Sequence, residues 1–336
     1  MAGTKHRSRG TPSGRRRSAK TGRFISAVVA STPAPVAPRA ALSGTLLLRK
    51  KLLHDFVLYL DAGSLLALCN AMAQVSSTSV VLLDDKWWRE VLQDHCHVSL
   101  EDFKVHRSVN LDVGSLELVD YLSLRTQLER FERCVHVVKG DLGAITTVGD
   151  QGVDCLVFPT SCSYRNPSRG VAGRVHERAG PDLDRAVMNL HMRNNAKAGS
   201  VMCTVGCGSG MRLLVHCVGP MQGATSAEML LYKTYVNAFL AVDSNGIECA
   251  AVASISTGLY RFPVPRAAAI ALSAIRDLIR LRPHWNTSIA FVCVNDDVYD
   301  HFQRVRLETF QAFHTTGYAY PRLVKALSMA EPRNWI

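Results

Sequence analysis

Between residues 135 and 294 the chain repeats one pattern: a short, almost purely apolar run, then a longer stretch with apolar residues at helical spacing. The runs fall at 135–138, 154–158, 201–205, 213–218, 249–253 and 289–294. The helical stretches fall at 171–190, broken at Gly180-Pro181, and at 227–242 and 266–281. A strand that is apolar at nearly every position has two faces to bury, which a sheet with one wet face does not offer. Alternation of such strands with helices predicts an α/β fold: three layers, α/β/α, around a parallel or mixed sheet. Ligands on such sheets bind at the carboxyl ends of the strands.

The rest of the chain is organised differently. Twelve of the 39 Lys and Arg lie in the first 51 residues, where no Asp or Glu occurs. The remaining 27 nearly balance 28 acidic residues, so the net charge of +11 belongs to the N-terminus. Residues 1–45 are also rich in Ser, Gly, Pro and Ala and offer little to bury, which predicts a disordered basic tail. Its Gly14-Arg15-Arg16-Arg17-Ser18-Ala19-Lys20 run fits a nuclear localisation signal, a nucleic-acid patch or a merely solvated segment. A mitochondrial presequence fits less well, because the first 23 residues lack large apolar side chains. No apolar run reaches membrane-spanning length, and no secretory signal is expected. Ten scattered Cys without a CxxC pair read as reduced, mostly buried thiols rather than as metal ligands, in a nuclear or cytoplasmic protein.

Residues 46–105 read as a small all-α unit. Leu48, Leu52, Leu53, Phe56, Val57 and Leu60 share helical spacing; Asp61 to Ser64 break and recap the chain; Leu65, Leu66, Leu68, Met72 and Val75 follow. Asp84 and Asp85 can cap a third helix bearing Trp87, Trp88, Val91 and Leu92. Residues 106–133 add a linking helix, and 307–336 a C-terminal extension in which Phe310, Phe313, Tyr318, Tyr320 and Trp335 can pack back. The order of the first three helices resembles an F-box, although the Leu-Pro that commonly opens that motif is here Leu48-Arg49. The resemblance implies docking onto the Skp-family adaptor of a cullin–RING ubiquitin ligase; without it, the unit reads as a three-helix bundle with core tryptophans.

Three segments of the α/β part carry chemistry. Val137-Val138-Lys139-Gly140-Asp141-Leu142 ends a strand in a Gly-Asp turn, and an ionised carboxylate there is a pure hydrogen-bond acceptor. Arg169-Gly170-Val171-Ala172-Gly173 runs a glycine-bearing loop into a helix start, where free backbone amides face outward and attract anions. Ser254-Ile255-Ser256-Thr257-Gly258-Leu259-Tyr260-Arg261-Phe262-Pro263 joins a strand to a helix, and its hydroxyls and successive amides can wrap a diphosphate.

In this order, and with Val218-Gly219-Pro220 and Asn295-Asp296-Asp297 ending two further strands, the segments resemble the macro domain family over residues 134–306. The resemblance implies ADP-ribose or ADP-ribosylated protein as ligand, with no cofactor and no metal. It implies that Asp141 accepts from the adenine amine and that the Leu142 amide meets the ring. Gly170, Val171, Ala172 and Gly173 then form the first phosphate loop, and Ser256, Thr257, Gly258 and Leu259 the second. Tyr260 packs on the distal ribose and Asn295 lies near the adenosine ribose. His176 is read as a helix-face residue without a role.

Phe158-Pro159-Thr160-Ser161 stands where the family usually has Asn-Ala-Ala-Asn, which hydrolytic members use. Ser161 replaces part of that machinery and is the candidate catalytic residue. Arg169 adds positive charge beside the expected diphosphate. These departures favour a reader over a mono-ADP-ribosyl-protein hydrolase, the alternative. Nucleic-acid binding through the tail is a second alternative.

Overall fold

The computed structural model describes residues 50–75, 81–96, 105–111, 114–191 and 196–314. The expectations for the tail, for Leu48, and for Tyr318, Tyr320 and Trp335 lie outside these residues.

Three helices open the described chain: α1 (Lys50–Tyr59), α2 (Ala62–Ala73) and α3 (Asp85–Cys96). Two of their starts are set by side chains. Asp61 accepts from the Ser64 amide at 2.9 Å, and Asp84 accepts from the Trp87 amide at 3.0 Å. Trp87 and Trp88 are buried edge-to-face with ring centroids 4.6 Å apart, and Trp88 Nε1 donates to the Val81 carbonyl. The tryptophans are therefore core, as the bundle pattern predicts.

α4 (Leu116–Cys134) begins at Ser115, whose hydroxyl accepts from the Leu118 amide at 3.0 Å. Leu118, Tyr121 and Leu122 bury against α2 and α3 near its start, while Phe131 stacks edge-on against Phe313 near its end. The helix thus has apolar partners on both sides along its length. The first three helices, α4 and one face of the sheet share a continuous core.

Behind α4, strands and helices alternate: β1 (Val135–Lys139), a short hairpin of β2 (Thr147–Val148) and β3 (Gln151–Gly152), β4 (Cys155–Pro159), α5 (Gly170–Ala179), α6 (Pro181–His191), β5 (Val201–Val205), β6 (Leu213–Cys217), α7 (Ala227–Ser244), β7 (Cys249–Ala253), α8 (Val264–Leu281), β8 (Ser288–Cys293) and α9 (Asp296–Gln311). The six longer strands form one mixed sheet in the order β1-β8-β7-β4-β6-β5, parallel throughout except for the edge pair β5–β6.

The alternation of strand side chains divides the core in two. Val135, Val137, Cys155, Val157, Leu213, Val215, Ala250, Val252, Ile289 and Phe291 face α4, α7, α8 and α9. Leu156, Phe158, Leu214, Ala251 and Val292 face α5 and α6. The result is the expected three-layer α/β/α sandwich. The hairpin and α9 were not expected from the sequence. α9 runs through residue 307, where the C-terminal extension was expected to begin, and places Phe302 and Val305 in the core. Among the described residues, no helix is long and apolar enough to cross a membrane.

Candidate ligand-binding cleft

At the carboxyl ends of β4, β7 and β8 the chain leaves a cleft of about 580 Å³. Its walls come from five connections: Pro159 to Ser161 after β4, Pro167 to Ala172 entering α5, Gly219 after β6, Ala253 to Tyr260 after β7, and Val292 to Val298 at the end of β8. The parallel strands all deliver their following loops to the same end of the sheet, which is why residues 140 positions apart meet there.

The first wall is an anion-binding helix start. Gly170 opens α5 at φ +62°, in the left-handed region that glycine enters without steric cost. No side chain caps this helix, and its first intrahelical bond is the Gly173 amide to the Arg169 carbonyl at 3.1 Å. The amides of Gly170, Val171 and Ala172 therefore remain available to a ligand. Gly173 does not line the cleft; a Cβ there would come within 2.8 Å of the Ser168 backbone, so this glycine is needed for the loop to fold over the helix.

The second wall is the turn after β7. Ser256 adopts φ +68° and Arg261 φ +53°. For residues other than glycine such angles cost about 1–3 kcal/mol, held here by the surrounding bonds. The turn is closed by the Phe262 amide donating to the Ser256 carbonyl and the Arg261 amide to the Gly258 carbonyl, both at 2.9 Å. Thr257 Oγ1 donates to Ser254 at 2.9 Å. The Gln222 amide donates to the Tyr260 carbonyl and ties the turn to the loop after β6. Ser256, Thr257, Gly258, Leu259 and Tyr260 all line the cleft, with Leu259 on its exposed lip.

Asn295, one residue beyond Val294 after β8, also lines the cleft; it is the N-cap position of α9 but its side chain makes no capping bond. Ser161 also lines the cleft, its hydroxyl 2.8 Å from that of Ser163.

Two expected ligand residues lie outside this lining. Asp141 is not in the lining. Its carboxylate accepts from the Gly143 amide at 2.8 Å and from Arg174 Nε and Nη2 at 3.3 and 3.2 Å, joining the loop after β1 to α5. The Leu142 side chain is buried in the core; the contact expected of this residue is through its backbone amide. Conversely Thr160 and Gly219, which lie in segments the sequence singled out without a ligand role, line the cleft, as do Val294 and Val298.

The electrostatics of the lining are simple. Arg169 is its only charged side chain among the described residues, and no acidic group pairs with it. Among the described residues, no carboxylate or imidazole lines the cleft. Burial pushes the Cys293 thiol up to about 12, so it stays neutral and a poor nucleophile. Among the described residues no cluster of three or more His, Cys, Asp or Glu could hold a metal, and all ten cysteines are free.

Behind the first wall lies a buried polar cluster. His176, on the inner face of α5, pairs through Nδ1 with Asp184 Oδ1 at 2.6 Å. His216 on β6 bonds Thr204 through Nε2 at 3.0 Å and packs against Phe158 with ring centroids 4.6 Å apart. His176 is thus a structural residue that fixes α5 to α6, a partner the sequence did not reveal.

The family model described as Macro domain matches residues 158–271. The O-acetyl-ADP-ribose deacetylase of Escherichia fergusonii is 30% identical over 166 residues, covering 48% of this chain and 89% of that protein. The O-acetyl-ADP-ribose deacetylase of Citrobacter rodentium is 32% identical over 174 residues, covering 51% and 94%. Among solved structures, the Oceanobacillus iheyensis macrodomain with ADP is 28% identical, covers 52% of this chain and 91% of that one, and superposes with a TM-score of 0.47.

Proposed function

This chain belongs to the macro domain family, and we propose from that premise that its cleft binds ADP-ribose, free or attached to protein, as a reader. The observation that carries this reading is the lining itself. Amides without intrahelical partners at the start of α5 flank it on one side and the Ser256-Thr257-Gly258 turn after β7 on the other, and among the described residues Arg169 is its only charged side chain. Such a cleft complements a diphosphate bridging two less charged ends.

The enzyme reading draws support from the deacetylases named above, which are similar to this chain over nearly their full length. Against it stands that, among the described residues, no carboxylate or imidazole lines the cleft to act as a general base. Ser161 is occupied by Ser163 rather than by a base. Calorimetric titration of the full chain with ADP-ribose is expected to give affinity in the micromolar range. Arg169→Ala should weaken it about tenfold and flatten its salt dependence. The same sample is expected to release no acetate from O-acetyl-ADP-ribose. Absence of binding would sink the proposal; sustained acetate release would make the protein an enzyme.

A second element of the reading concerns α1. Leu52, Phe56 and Tyr59 lie one and two turns apart on one helix face, and all three are exposed, Tyr59 by 84%. This exposed apolar stripe supports docking of a Skp-family adaptor, so that the chain would couple ADP-ribose recognition to a ubiquitin ligase. Mixing the full chain with purified adaptor should give a complex that Phe56→Asp abolishes while ADP-ribose binding persists; failure of the unmodified chain to bind adaptor removes this element.

A further inference from the structure

The two edges of the six-stranded sheet are finished differently. Along β1, side chains of α9 take up backbone acceptors: Gln303 Nε2 donates to the Val137 carbonyl at 3.2 Å and Arg306 Nε to the Val135 carbonyl at 2.7 Å. Carbonyls used in this way are closed to a further strand. The opposite edge, β5, has no such cover among the described residues.

The ladder decides which groups β5 turns outward. On β6, the Leu213 amide donates to the Asp154 carbonyl and the Cys217 carbonyl accepts from the Thr160 amide, so these residues face β4. The Val218 amide donates the other way, to the Ser200 carbonyl at 2.9 Å. Leu214 and His216 therefore bond β5, opposite Thr204 and Met202. Alternation along an antiparallel ladder then leaves the amides and carbonyls of Val201, Cys203 and Val205 directed away from the sheet. Among the described residues only the Cys207 thiol, a weak donor 3.5 Å from the Val205 carbonyl, meets any of these groups.

This edge matches itself. From Ala198 to Met211 the chain has no charged residue and no proline, the usual guards of an open edge. A charged edge would meet its own charge in a second copy, and this one does not. The three open positions read valine, cysteine, valine from either end. An antiparallel pairing centred on Cys203 sets Val201 of each copy opposite Val205 of the other, with opposed side chains on one face. Val205, 70% exposed, is thereby covered. We propose that β5 is the docking edge for a second copy of this chain, the two strands meeting about a two-fold axis at Cys203, so that each assembly carries two clefts.

The test is sedimentation equilibrium of the full chain at about 1 to 100 μM, a span suited to a small interface. The unaltered chain is expected to dimerise with a dissociation constant in the tens of micromolar. Val205→Glu changes an exposed side chain and should weaken dimerisation about tenfold or more. Cys203→Pro removes the central outward amide, which makes no bond to β6, and should do the same. The melting temperature of each variant checks that the fold is retained. Adding Val201→Lys to Val205→Glu sets opposite charges across the two-fold axis and should recover the dimer, a rescue that an interface elsewhere on the chain would not show. A chain that stays monomeric throughout the range overturns the proposal. So does a dimer that folded Val205→Glu and Cys203→Pro leave unchanged, which would place the interface on another surface.

Discussion

Lowering the pH from 7 to 5 should remove about 2 kcal/mol of folding stability through one buried side chain, His216. The imidazole is completely buried on β6, between Phe158 and Tyr164, with His176 6.3 Å away and Thr204 as its only bonded partner. Burial first, and the nearby His176 second, lower its pKa to about 3. In the unfolded chain the group returns to about 6.5. It is a base whose folded value lies below its unfolded one. Above pH 6.5 both states are neutral and nothing is lost. Between 6.5 and 3 only the unfolded state takes up the proton, so stability falls with pH across that window. At pH 5 the group lies about 1.5 units below its unfolded value, and at about 1.4 kcal/mol per unit the loss is about 2 kcal/mol.

Ionisable groups elsewhere in the chain contribute to the same pH change, so the measurement is a difference. Urea unfolding followed by tryptophan fluorescence at pH 7 and pH 5, at constant ionic strength, is compared between the unaltered chain and His216→Phe. The variant loses the Thr204 bond and is less stable at pH 7, but its loss between pH 7 and 5 should be smaller by about 2 kcal/mol. Equal losses in the two proteins would refute the reasoning, because they would mean that His216 is protonated in the fold or never titrates in the unfolded chain. The result bears on function, since His216 supports the inner face of α5, whose first turn forms one wall of the cleft.

Gly219→Ala places a Cβ 2.2 Å from Ser256 Oγ and 2.7 Å from Ile255 Cγ2; displacement of the turn after β7 should weaken ADP-ribose binding by about tenfold or more, with about 1–3 kcal/mol of destabilisation, read by calorimetry and by urea titration. Asp277→Ala on α8 removes a fully buried carboxylate that accepts from Tyr232 at 2.9 Å and from Arg276 Nε at 3.0 Å, and should cost about 3–5 kcal/mol in denaturant unfolding. Trp88→Ala should cost about 3–5 kcal/mol. Because the core around Trp88 continues through α4 into the sheet, far-ultraviolet dichroism and the fluorescence of Trp285 should still report one shared transition; two separate transitions would show that the helical unit and the sheet unfold independently.

The α/β architecture was readable because β4, β6, β7 and β8 are buried at nearly every position, and an apolar run of five residues between turn signals leaves few other fates. α9 escaped because its buried positions, Phe302, Val305 and Thr309, are sparse among charged residues and its first turn carries two aspartates. The hairpin escaped because two-residue strands that are mostly exposed leave no periodicity. The two anion-binding walls were readable as local motifs, since a helix start and a strand-to-helix turn are built from consecutive residues.

What sequence alone determined, then, is everything made by neighbours along the chain: the strands, most helices, the caps at Asp61 and Asp84, and the free amides after Arg169. What only the tertiary structure decided is which distant groups meet. β1 pairs with β8 about 150 residues later, which brings Asn295 to the cleft. Arg174, a surface position on a helix by its sequence, claims the carboxylate of Asp141. Thr160 and Ser256, separated by α5, α6, β5, β6, α7 and β7, both line the cleft because they follow β4 and β7, which are adjacent in the sheet. Local propensity fixes a backbone segment through its own dihedrals and nearest contacts; the pairing of strands across the sheet is a global packing solution, and the chemistry of the cleft follows from it.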